Sequence, residues 1–334
     1  MAITVITAFD EFKANYVNLG QAVTASARSS RNWLDSQIQS FPGRITDFPL
    51  LCSDYDVYFG SFDRKTKKRP LDDIDMIVAL HAEESTYYEQ YDGKIEMTVS
   101  DSSTKLKKYC HDYTNKINSR KIINKFVSAL SSVPQYTKAE INRSQVAAIL
   151  NLSTYAWAFD IVPAFFTKPD SQGKTFYIIP DGNGHWMKTD PRIDKARVVT
   201  TNQKHDGNVL NAIRLVKYWN RRPTMPSMGS YLLENMILDY YDRQYEKASQ
   251  FVDLEFISLM GHISTAVYSS VYDPKGIQGD LNKLTYDEMK KISDRAVLDY
   301  GRGVEAWNYE SNKYQEYAIR KWAEIFGRDF PTYG

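Results

Sequence analysis

Two hydrophobic periods divide this chain. From about residue 55 to 190, most short apolar runs are set off by polar ones, as strands require, and past His205 apolar residues recur three and four apart, as on amphipathic helices. Near the N-terminus, Phe12, Tyr16, Leu19, Ala22, Val23, Ala27, Trp33 and Ile38 keep helical spacing. They predict one long helix over residues 9–41, closed by Pro42, Gly43 and Pro49. Tyr55, Val57 and Phe59 then alternate as a first strand, and Met76, Ile77, Val78, Ala79 and Leu80 form a buried one. Residues 83–93 read as a polar loop, and 104–130 as mixed helix whose Lys105, Lys107 and Lys108 make a solvated face. Strands are predicted at 146–152, 156–166 and 176–180, followed by a Gly-rich loop, DGNGHWMKTDPR, over 181–192. Helices are expected at 208–220, at 230–240 with Ser230 as N-cap, and at 248–268. Thr285 and Glu288 form a capping box opening a helix to about Tyr300, and a last helix covers 304–326. The fold class is therefore α+β: a lobe with a mixed sheet over 1–200, which includes the long N-terminal helix, and a helical lobe over 201–334. The boundary falls near 195–207.

Composition changes this picture little. With 334 residues the chain can build two cores, and 43% hydrophobic with 25% charged residues is ordinary for a soluble protein. A net charge of +1 argues against a constitutive grip on duplex nucleic acid, though not against a local basic patch. Cys52 and Cys110 suggest neither a disulfide framework nor a metal site, so a reducing, cytoplasmic setting is expected. No secretory signal, membrane-length apolar run or internal repeat is visible.

Candidate chemistry concentrates between Phe59 and Leu80, FGSFDRKTKKRPLDDIDMIVAL. Asp73 and Asp75 lie two apart, so a strand puts both carboxylates on one face and turns Ile74 towards the core. Adjacent carboxylates repel unless a cation lies between them, and hard oxygen donors suit Mg²⁺. Two such ions can hold the attacking and leaving oxygens of an in-line displacement. Asp72 would point away from that face and is the weaker candidate. Gly60 lets backbone N–H groups approach a phosphate, and Ser61 adds a hydroxyl at the start of a short helix. Taken singly, each pair is more often a solvated strand end or a turn. Asp160, set among Trp157, Phe159, Ile161 and Val162, is too costly to bury without a partner or metal. It is the natural third carboxylate, the alternative being an arginine pair or a bulge cap. The loop at 181–192 lacks the Gly-Lys-Ser/Thr ending of a phosphate loop.

Gly60-Ser61, PLDDID at 70–75 and FDIVPAF around Asp160 resemble the core of the DNA-polymerase-β-like nucleotidyltransferases. IIPDGNGHWMKTDPR, RLVKYWN, Ser230-Tyr231 and the following LLE narrow the resemblance to the bacterial CD-NTases, relatives of cyclic GMP-AMP synthase, over about residues 50–240. The resemblance implies that Asp73 and Asp75 hold two Mg²⁺ ions, for which Mn²⁺ can substitute, with Asp160 completing the site nearest the attacking hydroxyl. It also implies that Gly60, Ser61, Lys217 and Ser230 contact a triphosphate, that Tyr231 stacks on a base, and that the helical lobe closes the nucleotide pocket. The activity implied is synthesis of a cyclic di- or trinucleotide second messenger from nucleoside triphosphates, with release of pyrophosphate. In antiphage defence such a product activates a separate effector. Some members are conjugated through their C-terminus by a ubiquitin-transfer-like partner, with which the terminal Gly334 is compatible. The rival readings are a related enzyme acting on RNA ends or a small molecule, and a catalytically dead scaffold on the same fold.

Overall fold

The residues with strand period form one mixed sheet, and the helical residues from Ile193 onward belong to a helical body. In the computed structural model, which describes residues 2–334, two units interleave along the chain. One comprises Ala22–Asp63 and Pro70–Arg192; the other comprises Met1–Gln21, Arg64–Arg69 and Ile193–Gly334. In chain order the elements are α1 (Val5–Phe12), α2 (Gln21–Arg44), β1 (Val57–Phe59), α3 (Gly60–Asp63), β2 (Asp73–Leu80), β3 (Thr86–Glu89), β4 (Ile95–Thr98) and α4 (Ser119–Ser131). They continue with β5 (Glu140–Ser144), β6 (Ala147–Asn151), β7 (Ala158–Phe166), β8 (Tyr177–Pro180), β9 (Trp186–Thr189) and α5 (Pro191–Lys204). The remaining helices are α6 (Val209–Asn220), α7 (Ser230–Arg243), α8 (Val252–Ala266), α9 (Tyr286–Ser311) and α10 (Gln315–Phe326). No described helix is long and apolar enough to cross a membrane.

The sheet has nine strands in the order β1-β2-β7-β8-β9-β4-β3, with β6 pairing β7 and β5 pairing β6. Its central pair, β2 and β7, is parallel, while its neighbours run antiparallel. Both central strands read as near-continuous apolar runs because both faces of the sheet are covered. On one face Ile77, Val162, Ala164 and Tyr177 form a cluster. In the same unit, edge-to-face and tilted rings of Phe41, Phe48 and Phe126, 5.3 and 5.0 Å apart, join α2 to α4.

The helical unit is organised around aromatic rings. Phe9 of α1 meets Trp322 and Phe326 of α10 edge-on at 4.9 and 5.8 Å, and Phe256 of α8 packs on both. Thr285 and Glu288 make the expected capping box at the start of α9.

Several sequence expectations need correction. The helix predicted over 9–41 is interrupted: α1 passes into a π-helical turn at Lys13–Val17, Asn18 is extended, and α2 starts at Gln21. Arg69 donates through Nε to the Asn18 carbonyl and through Nη2 to Ala14 O at 2.9 Å, satisfying acceptors that the helix leaves behind. Pro42 does not close α2 but lies within its last turn. Residues 83–93 and 181–192 are not wholly loop, since β3 and β9 fall within them, and Pro191 opens α5 as its first residue. The N-cap of α7 is Gly229, and Ser230 is the first helical residue. The helix begun at Tyr286 continues through Gly301 and Gly303 to Ser311. A Cβ at Gly303 would come within 2.7 Å of Ile257 Cγ1, so this glycine permits close helix packing rather than marking a break.

Candidate active site

In the sheet unit, pairing register assembles the predicted acids. Asp75 of β2 is the direct partner of Asp160 on β7, and Asp73 is the partner of Ala158. Register partners on parallel strands lie about 4.8 Å apart and share a face. Period two then adds Asp73 to the face that carries Asp75 and Asp160. Burial follows the same alternation: Asp73, Asp75 and Asp160 are half-buried, while Ile74, Phe159 and Ile161 are buried. The exposed Asp72 contributes its carbonyl, which accepts from Ala158 N at 2.9 Å where the parallel pairing begins.

β1 supplies the other side. Phe59 is the register partner of Asp75, and the chain turns at Gly60 into the single helical turn α3. Gly60 has φ +72°, and a Cβ there would lie 1.7 Å from Asp75 Oδ2. Glycine is therefore required on two counts, backbone conformation and space. Ser61 follows it in α3, and the buried Phe62 anchors the turn. Gly60, Ser61, Asp73, Asp75 and Asp160 thus all belong to β1–α3, β2 and β7.

This donor set fits a hard divalent cation. Among the described residues no three His, Cys, Asp or Glu side chains converge as a finished cage. Mg²⁺ does not need one, because it keeps waters and takes substrate phosphates as ligands.

One acid in this unit escaped the sequence reading. Asp56 accepts from Ala79 N at 2.6 Å and from Gln39 Nε2 at 2.6 Å. Burial pushes its carboxyl up to about 6, with the Asp35 charge adding to the shift. It ties α2 to the far end of β2.

The remaining predicted residues belong to the helical unit. Lys217 of α6 is buried, and its Nζ lies 2.5 Å from Glu234 Oε2 of α7. Glu234 also accepts from Arg64 Nε at 2.7 Å and Thr66 Oγ1 at 2.8 Å. Burial alone would raise its carboxyl, but Lys217 and Arg64 bring it down to about 2. This carboxylate therefore fastens the basic segment 64–69 to α6 and α7. Its place in the apolar run LLENMI was the available signal, by the rule that singled out Asp160.

Ser230 is exposed at the first turn of α7. Tyr231 is half-buried, and its hydroxyl is held by Asp194 at 2.7 Å, Asp273 at 2.9 Å and the ammonium of Lys275. Lys275 Nζ also lies over the ring, 4.3 Å from its centre. Burial and the two aspartates push the phenol well above its ordinary range. Loop residues Asp273 and Lys275 thus fix the ring, a support that no local pattern announced.

No protein-family model matches the chain. A "probable cyclic nucleotide synthase" of Bacillus cereus (strain VD146) is 45% identical over 334 residues, covering 100% of this chain and 99% of that protein. Among solved structures, Escherichia coli MS115-1 CdnC in complex with HORMA-deltaN superposes with a TM-score of 0.69 at 15% identity, each chain covered to 98%. The GTP-bound form of Vibrio cholerae DncV gives 0.69 at 11% identity, covering 98% of this chain and 96% of that one. At these identities the two structures speak for the fold, whereas the Bacillus relative speaks for the family. With the acidic strand pair in place on that fold, the chain belongs to the cyclic nucleotide synthases of the CD-NTase family and is a nucleotidyltransferase.

Proposed function

We propose that this enzyme joins nucleoside triphosphates into a cyclic di- or trinucleotide second messenger, releasing pyrophosphate, and that the product activates a separate effector in cytoplasmic antiphage signalling. The observation that carries this reading is the register pairing of Asp75 with Asp160, with Asp73 on the same face and Gly60 against Asp75.

In the reaction a ribose hydroxyl attacks the α-phosphorus of a bound triphosphate. The new O–P bond forms as the bond to the bridging oxygen breaks, and pyrophosphate leaves with that bond's electron pair. Asp160 would complete the metal site nearest the attacking hydroxyl and assist in taking its proton. Asp73 and Asp75 would hold two divalent cations, Mg²⁺ with Mn²⁺ as a substitute. When bound, these supply charge neutralisation on the departing pyrophosphate and acidify the attacking hydroxyl. Gly60 and Ser61 offer a backbone N–H and a hydroxyl to phosphate oxygens; Lys217 and Ser230 contact the triphosphate, and Tyr231 stacks on a base. A second transfer within the linear intermediate closes the ring.

The test is incubation with all four labelled triphosphates and Mg²⁺ or Mn²⁺, with phosphatase-resistant products identified by mass spectrometry. A cyclic product from the wild type and none from a folded Asp75→Asn variant is the expected result. A linear product only, or equal pyrophosphate release by the variant, overturns the proposal.

A further inference from the structure

The C-terminal end of α6 borders a cavity that the chemistry above does not use. It encloses about 410 Å³, within the range of small-ligand sites. Four cations line it, Lys68, Arg221, Arg222 and Arg328, against one carboxylate, Asp329. That carboxylate is already engaged: it accepts from the Tyr218 hydroxyl at 2.7 Å and lies 3.9 Å from Arg328 Nε.

Part of this positive charge has an ordinary cause. The end of a helix presents bare carbonyls, which attract cations, and Lys68 Nζ donates to the nearby Arg69 carbonyl at 2.7 Å. Arg222 does not fit that explanation. Its Nη1 is buried and has no hydrogen-bond partner among the described residues. Asp299, the acid whose charge reaches it, is spent on Arg295 at 2.5 Å, Arg302 at 3.1 Å and Trp219 Nε1 at 2.8 Å.

The guanidinium is also confined. Gly327, the C-cap of α10, has φ +79°, and a Cβ there would come within 2.8 Å of Arg222 Nη2. Burial, with the Arg221 charge next, pulls Lys68 down to about 8. A planar guanidinium with a free N–H, flanked by further cations in a small cavity, matches the oxygens of a phosphate.

We propose that this cavity binds a phosphate-bearing small anion, with Arg221 and Arg222 donating to the phosphate oxygens and Lys68 and Arg328 supplying further charge. The shared chemistry is the phosphate group, whether free or on a nucleotide. The inference is independent of the nucleotide roles assigned to Lys217, Ser230 and Tyr231.

The experiment is calorimetric titration of the full-length Asp75→Asn protein with inorganic pyrophosphate and, separately, with ADP. EDTA is present throughout, so that neither turnover nor metal-held binding contributes. Saturable binding is expected, weakened at least tenfold by Arg222→Gln. Gly327→Ala, which keeps every charge but crowds the guanidinium, should weaken it several-fold. Melting curves without ligand establish that each variant is folded, and Arg222→Lys provides a second probe that keeps the charge but loses the fork. Tighter binding of ADP identifies a nucleotide ligand, and equal binding identifies the phosphate alone; either supports the site. Absence of saturable binding overturns it. So does binding that Ser230→Ala removes and Arg222→Gln leaves intact.

Discussion

Two charged clusters in this enzyme are built on opposite principles. On the sheet, register brings Asp73, Asp75 and Asp160 to one half-open face, so like charges are gathered. In the helical unit, Glu234 is buried with Lys217 and Arg64, so opposite charges are paired. The first arrangement concentrates negative charge of the kind that a bound cation offsets. The second holds elements together, and its cost appears when one partner is removed. The contrast separates carboxylates gathered on an open face from a carboxylate used to hold elements together, although all of them lie in apolar runs.

The largest expected effect tests the first cluster. Asp73→Asn or Asp75→Asn should lower pyrophosphate release at least ~10³-fold, equivalent to about 4 kcal/mol of barrier. The melting temperature should change little, because asparagine keeps the size of the side chain and one acceptor oxygen. A coupled pyrophosphate assay and a thermal melt on the same sample check both halves. A variant that loses its fold along with its activity would erase the contrast.

Next comes the second cluster. Glu234→Gln leaves Lys217 and Arg64 buried without a counter-charge, and should cost ~3–5 kcal/mol of stability by denaturant unfolding. The wild-type pair also has a defined acid limit. The Glu234 carboxyl is depressed from 4.5 to about 2, so its contribution is complete above pH 4.5 and fades as pH falls towards 2. A stability loss under 1 kcal/mol in the Gln variant would mean that the pair does not hold 64–69 in place.

Gly60→Ala should have a smaller effect. The methyl group meets Asp75 Oδ2, and the positive φ adds strain of about 1–2 kcal/mol. We expect activity to fall about 10–100-fold as Asp75 is displaced, in a protein that still melts cooperatively. Normal turnover with normal stability would show that the turn can move away from the acid without consequence.

These expectations also mark how much could be read from sequence. β2, β7, the acidic face and the capping box of α9 follow from period and local chemistry, and the structure carries all of them. β3 was missed because TYYE is exposed at all four positions, leaving no alternation to detect. α5 was missed because its residues form no apolar stripe. Gly301 and Gly303 imitate a helix end, and only the partner helix shows that α9 needs the space. Within the site, spacing could place Asp73 beside Asp75, but the link to Asp160 depends on strand register across more than eighty residues. Asp273 and Lys275, which hold Tyr231, come from a loop with no local pattern.

The smallest effect concerns an acid that belongs to neither cluster. Asp56 is a single carboxylate held by Ala79 N and Gln39, and burial raises it from 3.8 to about 6. Between those two values the folded protein binds a proton that the unfolded chain has released. Stability therefore falls as pH rises through that window, and the loss is complete above about 6. Some solvent still reaches the group, so we expect the loss to be roughly 1–2 kcal/mol rather than the larger value that full burial would give. Asp56→Asn keeps an acceptor for Ala79 N and carries no charge. Its unfolding free energy should not show this part of the decline between pH 4 and 7, so the difference between wild type and variant should shift steadily in the variant's favour. Parallel slopes for the two proteins would mean that Asp56 is already ionised at pH 4. Its place in the sheet would then be that of a tolerated charge, closer in kind to Asp75 than to Glu234.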